Sequence, residues 1–242
     1  MDSGSGSTPS MIIILGMHRS GTSSLAGCLQ QRGLYLGNVI QKSRFNPKGN
    51  RENPEIMRLN ESVLATSGGR WDKPPQAITW SGTEAEERDR IINSNLQHSS
   101  RFGFKDPRAT VTLAFWQDAG LPMNFAGTFR HPVLVARSLR ARNGMPIPDG
   151  LELWKKYNTR LLDLHAHFHF PIVTFDASPA EYLESVDRVA SCLGLRTDHV
   201  SPEPEFFEES LRRETLDGVD PLPSDISKMY ENLSTLYREQ NG

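Results

Sequence analysis

Five consecutive apolar residues, Met11-Ile12-Ile13-Ile14-Leu15, run into Gly16-Met17-His18-Arg19-Ser20-Gly21-Thr22-Ser23 and then into an apolar-periodic stretch, Ser24–Leu34. The apolar run predicts a buried strand and the periodic stretch a helix. A strand, a glycine-bounded loop and a helix start make an anion cradle. The loop peptide N–H groups and the helix N-terminus face one spot, and Arg19 adds a full positive charge there. Thr22 and Ser23 bring hydroxyls to the first turn. The expected ligand therefore carries phosphate.

The loop departs from the Walker A pattern, which needs Gly-Lys-[Ser/Thr] after four variable residues. Here the frame is Gly16-x-x-x-x-Gly21-Thr22-Ser23, and threonine follows Gly21 where the lysine would stand. The basic residue lies inside the loop, at Arg19. This composition suits a 5′-phosphate better than a magnesium-bound triphosphate.

Alternation of strands and helices organises the rest. Further β-like runs are Phe102–Lys105, Met123–Phe129 and Phe170–Asp176. Helical patterns cover Gly21–Arg32, Pro54–Thr66, Thr83–His98, Pro107–Gly120, Pro132–Asn143, Leu151–His167, Ser178–Leu193 and Ser224–Glu239. This order predicts an α/β, P-loop three-layer fold: a mostly parallel central sheet flanked by helices. Ligands of such sheets bind at the carboxyl ends of the strands. Arg19, the pair Lys105-Asp106 and the pair Arg130-His131 should meet there, each following a strand. A chain of 242 residues suits one α/β domain over residues 11–242, preceded by a Gly/Ser-rich flexible leader, residues 1–10. Residues 38–73, rich in Pro, Gly, Asn and charge around one helix, read as a substrate lid.

Bulk properties exclude several classes. A formal charge of −2, mixed along the chain, gives no field for nucleic acid. No apolar stretch approaches the ~20 residues of a membrane span, and the first ten residues lack the apolar core of a signal peptide. Cys28 and Cys192 fall in amphipathic helices and read as buried thiols of a reducing, cytoplasmic setting. No acidic cluster follows a Walker-like strand, so no metal is expected. His165, His167 and His169 alternate, but they sit where a helix gives way to a strand, which breaks the common face a metal would need.

Two more motifs carry chemistry. Phe129-Arg130-His131-Pro132 ends a strand and opens a helix, with proline suited to the first turn. Ser138 lies about two turns into that helix, so Arg130 and Ser138 can grip one anion. Lys105-Asp106-Pro107-Arg108 repeats the grammar and places a lysine where it can neutralise charge on a transferring group.

With these residues in view, the sequence resembles sulfotransferases that use 3′-phosphoadenosine 5′-phosphosulfate (PAPS). Gly16 to Ser23 looks like their 5′-phosphosulfate loop. Arg130 and Ser138 look like their Arg-x7-Ser pair for the 3′-phosphate. Lys105-Asp106-Pro107-Arg108 and the stretch from Asn46 to Glu55 look like a bacterial-type branch. The resemblance spans roughly Met11 to Leu195. It implies a P-loop α/β fold and transfer of a sulfuryl group from PAPS to a hydroxyl or amine of a small-molecule or glycan acceptor, with no metal required.

Departures from the family pattern are informative. Its loop often carries lysine where this chain has Arg19, which keeps the charge and adds a fork. The catalytic histidine of the cytosolic branch is matched by Arg108, which cannot act as a base. Glycan-modifying branches use a glutamate beyond the first helix, a role nearest to Glu52 and Glu55. The Gly-rich C-terminal motif is not evident; Arg212 and Arg213 are candidates to replace it. The expected assignments are therefore Arg19 and Lys105 on the leaving phosphate, Glu52 as general base and Asp106 as the second choice. Gly16, His18, Arg19, Ser20, Gly21, Thr22, Ser23, Arg130, Ser138, Arg212 and Arg213 would hold the nucleotide. Trp71, Trp80 and Trp154 either line the acceptor pocket or fill the core. Two other readings stay open: a small-molecule or nucleoside kinase with a degenerate loop, and a non-catalytic module that binds adenosine bisphosphate.

Overall fold

A computed structural model describes residues 8–42, 48–195, 205–209, 212, 214–218 and 221–241. Four strands, β1 (Ser10–Leu15), β2 (Arg101–Lys105), β3 (Met123–Phe129) and β4 (Ile172–Thr174), form one sheet in the order β2-β1-β3-β4. Every pairing is parallel. The helices are α1 (Thr22–Gln31), α2 (Pro54–Thr66), α3 (Gly82–Leu96), α4 (Ala109–Gln117), α5 (Pro132–Asn143), α6 (Ile147–Phe168), α7 (Pro179–Cys192) and α8 (Ser224–Asn241).

The run Met11–Leu15 is apolar throughout because β1 is central and both its faces are covered. Ile12 and Ile14 pack with Leu25 and Leu29 of α1 and Tyr182 and Val186 of α7. Met11, Ile13 and Leu15 belong to the opposite core, with residues of α2, α3, α4, α5, α6 and α8. The α/β layering read from the sequence is thus observed.

Local signals set most boundaries. Asn53 caps α2 by accepting from Glu55 N, with Pro54 at the first position; Gly68, at φ 74°, ends it by donating to Ala65 O. Ser81 and Glu84 form a capping box on α3, and Ser178 and Glu181 form another on α7. Three expectations need correction. The fourth strand is only Ile172–Thr174: Phe175 N still donates to Phe129 O at 2.8 Å, and the chain then turns so that Asp176 accepts from His131 N. Helix α6 begins at Ile147, with proline in its first turn. Cys28 is buried, but Cys192, at the end of α7, is exposed. Among the described residues no helix is long and apolar enough to cross a membrane.

One buried polar hub ties α2 to the end of β2. Asn60 is fully buried. Its Nδ2 donates to Asp106 Oδ2 at 3.1 Å, and its Oδ1 accepts from Thr112 Oγ1 at 2.7 Å and Trp116 Nε1 at 2.9 Å. Removing it strands the Trp116 indole N–H and takes one hydrogen bond from each of Asp106 and Thr112, which keep Arg108 as a partner. Asn60→Ala should lower the unfolding free energy by about 2–4 kcal/mol. Urea denaturation would read this as a lower midpoint at unchanged slope.

Candidate active site

The loop after β1 is fixed by close backbone approach. Gly16 has φ 145°, and a Cβ there would lie 2.4 Å from the Thr128 carbonyl oxygen on β3. Its N–H donates to Thr110 Oγ1 at 2.9 Å. Further on, Ser20 N donates to Met17 O at 3.2 Å, and Thr128 Oγ1 donates to Ser20 O at 2.9 Å. Arg19 at φ 67° and Gly21 at φ 85° are both left-handed. For arginine that conformation costs on the order of 1–3 kcal/mol, so the surrounding contacts hold it there. Among the described residues no side chain caps the N-terminus of α1, which leaves its first turn open to an anion.

Lys105, at the end of β2, reaches the same place. Only 1 % exposed, its Nζ donates to Glu52 Oε1 at 2.7 Å and Ser23 Oγ at 3.3 Å. Burial depresses the lysine pKa, against the pull of Glu52 and Asp106. Glu52 directly precedes the cap of α2, yet its carboxylate serves Lys105. Glu55 turns the other way and pairs with Arg90 on α3. Asp106 accepts from Asn60 Nδ2, Arg108 N and Arg108 Nη1. Burial pushes its carboxyl above the usual range, with Arg108 opposing. The other arm of Arg108 pairs with Glu61 at 2.7 Å.

Arg130 and Ser138 come together as their spacing suggests, but with company. Trp154 Nε1 donates to Arg130 O at 2.9 Å, which anchors the strand end and places this tryptophan in the core. The Arg130 guanidinium lies 5.4 Å from the Phe175 ring centroid. Its Nε donates to Asp176 Oδ1 at 3.4 Å and its Nη1 to Glu214 Oε2 at 2.9 Å. Asp176 Oδ2 also accepts from His131 N at 2.6 Å. Ser138 Oγ accepts from Arg19 Nε at 2.8 Å, so the loop and the Arg-x7-Ser pair form one connected cluster. Arg212 lies over the same Phe175 ring at 4.9 Å and near Phe207 at 4.8 Å, and its Nη1 donates to Ala177 O at 2.8 Å. Arg213 lies outside the described residues, as do Asn46 and Pro47.

His18 packs among aromatic rings. It is 6 % exposed, with its ring centroid 4.7 Å from Trp71 and 6.0 Å from Tyr157. Tyr157 OH in turn donates to Trp71 O at 2.8 Å. Among the described residues, no protein group meets the buried Nε2. Burial first, then Arg108, Arg142, Lys105 and Arg19, hold the imidazole pKa well below 6.5. Trp80 packs on Phe115.

Sequence reasoning missed Phe175, Asp176 and Glu214. Phe175 closes an apolar run and so reads as strand; its ring in fact presses on Gly21, where a Cβ would lie 2.4 Å away. Glu214 carries no local signal, since its partners come from β3 and α5. His165 and His167 fall in the last turn of α6 and His169 caps it at φ 50°. Among the described residues no group of histidine, cysteine or carboxylate side chains could hold a metal.

No family profile matches the chain, and no curated protein matches it in sequence. Among solved structures it is similar to the sulfotransferase domain from the Synechococcus PCC 7002 olefin synthase, at 17 % identity and a TM-score of 0.52. That similarity covers 96 % of this chain and 98 % of the other. At this identity the likeness shows a shared fold.

The buried imidazole generates a pH prediction. His18 is neutral in the folded protein and protonates freely in the unfolded chain, so acid removes stability. Below pH 6.5 this group should cost about 1.4 kcal/mol per pH unit, until its depressed folded pKa is reached. His18→Phe keeps an aromatic ring and lacks the proton site. Its stability should fall less steeply with acid than the parent's, by about that slope in paired denaturation curves. Parallel curves would place the titration elsewhere.

Proposed function

We propose that the protein is a PAPS-dependent sulfotransferase acting on a hydroxyl or amine of a small-molecule or glycan acceptor. One observation carries this reading: the hydrogen bond from Arg19 Nε to Ser138 Oγ, 2.8 Å, joins a 5′-phosphate loop to an Arg-x7-Ser pair in one cationic cluster at the strand ends. The fold shared with a sulfotransferase domain supports it. A doubly phosphorylated nucleotide also fits the donors present. Arg212 has Nε and Nη2 with no acceptor among the described residues.

PAPS supplies an activated sulfuryl group on a phosphate leaving group. The chain's residues position and neutralise. Arg19, the loop N–H groups, Thr22 and Ser23 hold the 5′-phosphate, and Arg130 with Ser138 holds the 3′-phosphate. Lys105, beside Ser23, would neutralise charge developing on the leaving phosphate oxygen. The acceptor oxygen forms the new bond to sulfur and gives its proton to Glu52. Asp106 is a weaker candidate base, because Asn60 and Arg108 already occupy its carboxylate. It orients Arg108 and, through Asn60, α2. In the stretch 48–73, Glu52 meets Lys105 and Trp71 meets His18 of the loop, which sets both on the proposed acceptor side.

Nucleotide preference tests the reading first. Adenosine 3′,5′-bisphosphate should bind far more tightly than AMP or magnesium-ATP, seen as a larger rise in melting temperature. Arg130→Ala should lose most of that preference, on the order of 30- to 1000-fold in affinity. Equal affinity of the parent for the bisphosphate and AMP would sink the assignment, and a preference for magnesium-ATP would favour a kinase.

The base is tested by turnover. Once a screen with radiolabelled donor has found an acceptor, Glu52→Gln should keep bisphosphate affinity and lose about 100-fold or more in single-turnover rate. Glu55→Gln should stay near the parent rate, because Glu55 faces Arg90. A parent-like Glu52→Gln would remove Glu52 from proton transfer.

A further inference from the structure

The pocket formed by Arg130 and Ser138 already holds a negative group from the chain itself. Glu214 Oε2 accepts from Arg130 Nη1 at 2.9 Å, and Ser138 lies near enough to the same carboxylate to favour its charged form. Arg19 contributes its charge from the far side of Ser138. The site is sheltered: the Glu214 side chain is 13 % exposed and that of Arg130 4 %. Burial would push the Glu214 carboxyl up, but Ser138, Arg130 and Arg19 hold it below the usual carboxylate range, so the resident group is an anion.

We propose that Glu214 is the resident anion of the Arg130–Ser138 pocket and sets nucleotide affinity there, because a ligand's second phosphate must exchange with this carboxylate. This rests on the reading of the site as a binder of adenosine 3′,5′-bisphosphate nucleotides. The contacts divide the two carboxylates on Arg130 into different kinds. Asp176 is built in, since it also accepts the peptide N–H of His131. Glu214 pairs with Arg130 and lies beside Ser138, the two side-chain groups that a phosphate would use.

The chain around Glu214 is tethered as a strap. Arg137 on α5 donates to Thr215 O and Asp217 O. On the other side, Arg212 stacks over Phe175 and Phe207 and donates to Ala177 O. Among the described residues these tethers are polar and stacking contacts rather than core packing, so the strap can shift without disturbing the sheet. A phosphate monoester has the advantage in the exchange: it carries nearly twice the charge of a carboxylate and three acceptor oxygens. It must still displace a prepaired carboxylate, so apparent affinity is reduced by the fraction of molecules in which Glu214 is in place.

Isothermal titration calorimetry on the full chain tests this. Glu214→Gln should bind adenosine 3′,5′-bisphosphate about tenfold or more tightly than the parent, while AMP affinity changes less than about twofold. Arg137→Ala, which loosens the strap outside the pocket, should move bisphosphate affinity in the same direction; a purely structural strap predicts the opposite. If the parent prefers the bisphosphate over AMP but both variants bind it no better, Glu214 is not the competing anion. If no protein distinguishes bisphosphate from AMP, the nucleotide reading falls, and inorganic sulfate decides the anion exchange by itself. Sulfate should then raise the melting temperature of Glu214→Gln more than that of the parent, and Arg130→Ala placed in the Glu214→Gln background should erase the difference. Equal sulfate responses would overturn the proposal.

Discussion

The passage of the loop backbone between the ends of β2 and β3 is the constraint on which the site depends. Gly16 sits where a Cβ would lie 2.4 Å from the Thr128 carbonyl, with its N–H on the Thr110 hydroxyl. That double contact sets where the chain leaves the sheet. From there Arg19 is held left-handed, at φ 67°, and aims its guanidinium at Ser138. The first turn of α1 opens beside Lys105. A larger residue at Gly16 would shift every one of these groups together, because each is positioned from the same turn.

The charges around that turn are arranged in pairs. Lys105 is matched by Glu52, Arg108 by Asp106 and Glu61, and Arg130 by Asp176 and Glu214. Ions this deeply buried carry a large desolvation cost, and removing one partner exposes it. The cationic cluster therefore keeps carboxylates in place. Some of these are fixed parts of the scaffold, as Asp106 and Asp176 are through backbone N–H groups. Glu52 and Glu214 meet their cations through side chains.

Much of the architecture was legible because its signals are local. The run Met11–Leu15, Asn53-Pro54 and Ser178 with Glu181 each announce an element within a few residues. Arg130 and Ser138 were legible for the same reason, being separated by two helical turns. The residues that complete the site were not. Phe175 is apolar at the end of an apolar run, and only the third dimension shows its ring under two guanidiniums and against Gly21. Glu214 meets Arg130 from 84 positions away, and His18 meets Trp71 across α2 and its flanks. Such pairings depend on how elements are stacked, which periodicity does not encode. The histidine run at the end of α6 shows the converse: its alternation is visible in the sequence, but a helix end, capped by left-handed His169, disperses it.

The strand order carries a consequence for how the chain reaches this state. β1 is central, yet its first partner begins at Arg101 and its second at Met123. As the chain emerges from a ribosome, this most apolar strand is made before its partners and stays unpaired on both edges while three helices and their connections follow. Parallel pairing over such separations is slow, because loop closure precedes any reward from contact. A growing chain with an unpaired Met-Ile-Ile-Ile-Leu edge exposes apolar surface, and its yield on expression should depend more on synthesis rate and temperature than its final stability suggests.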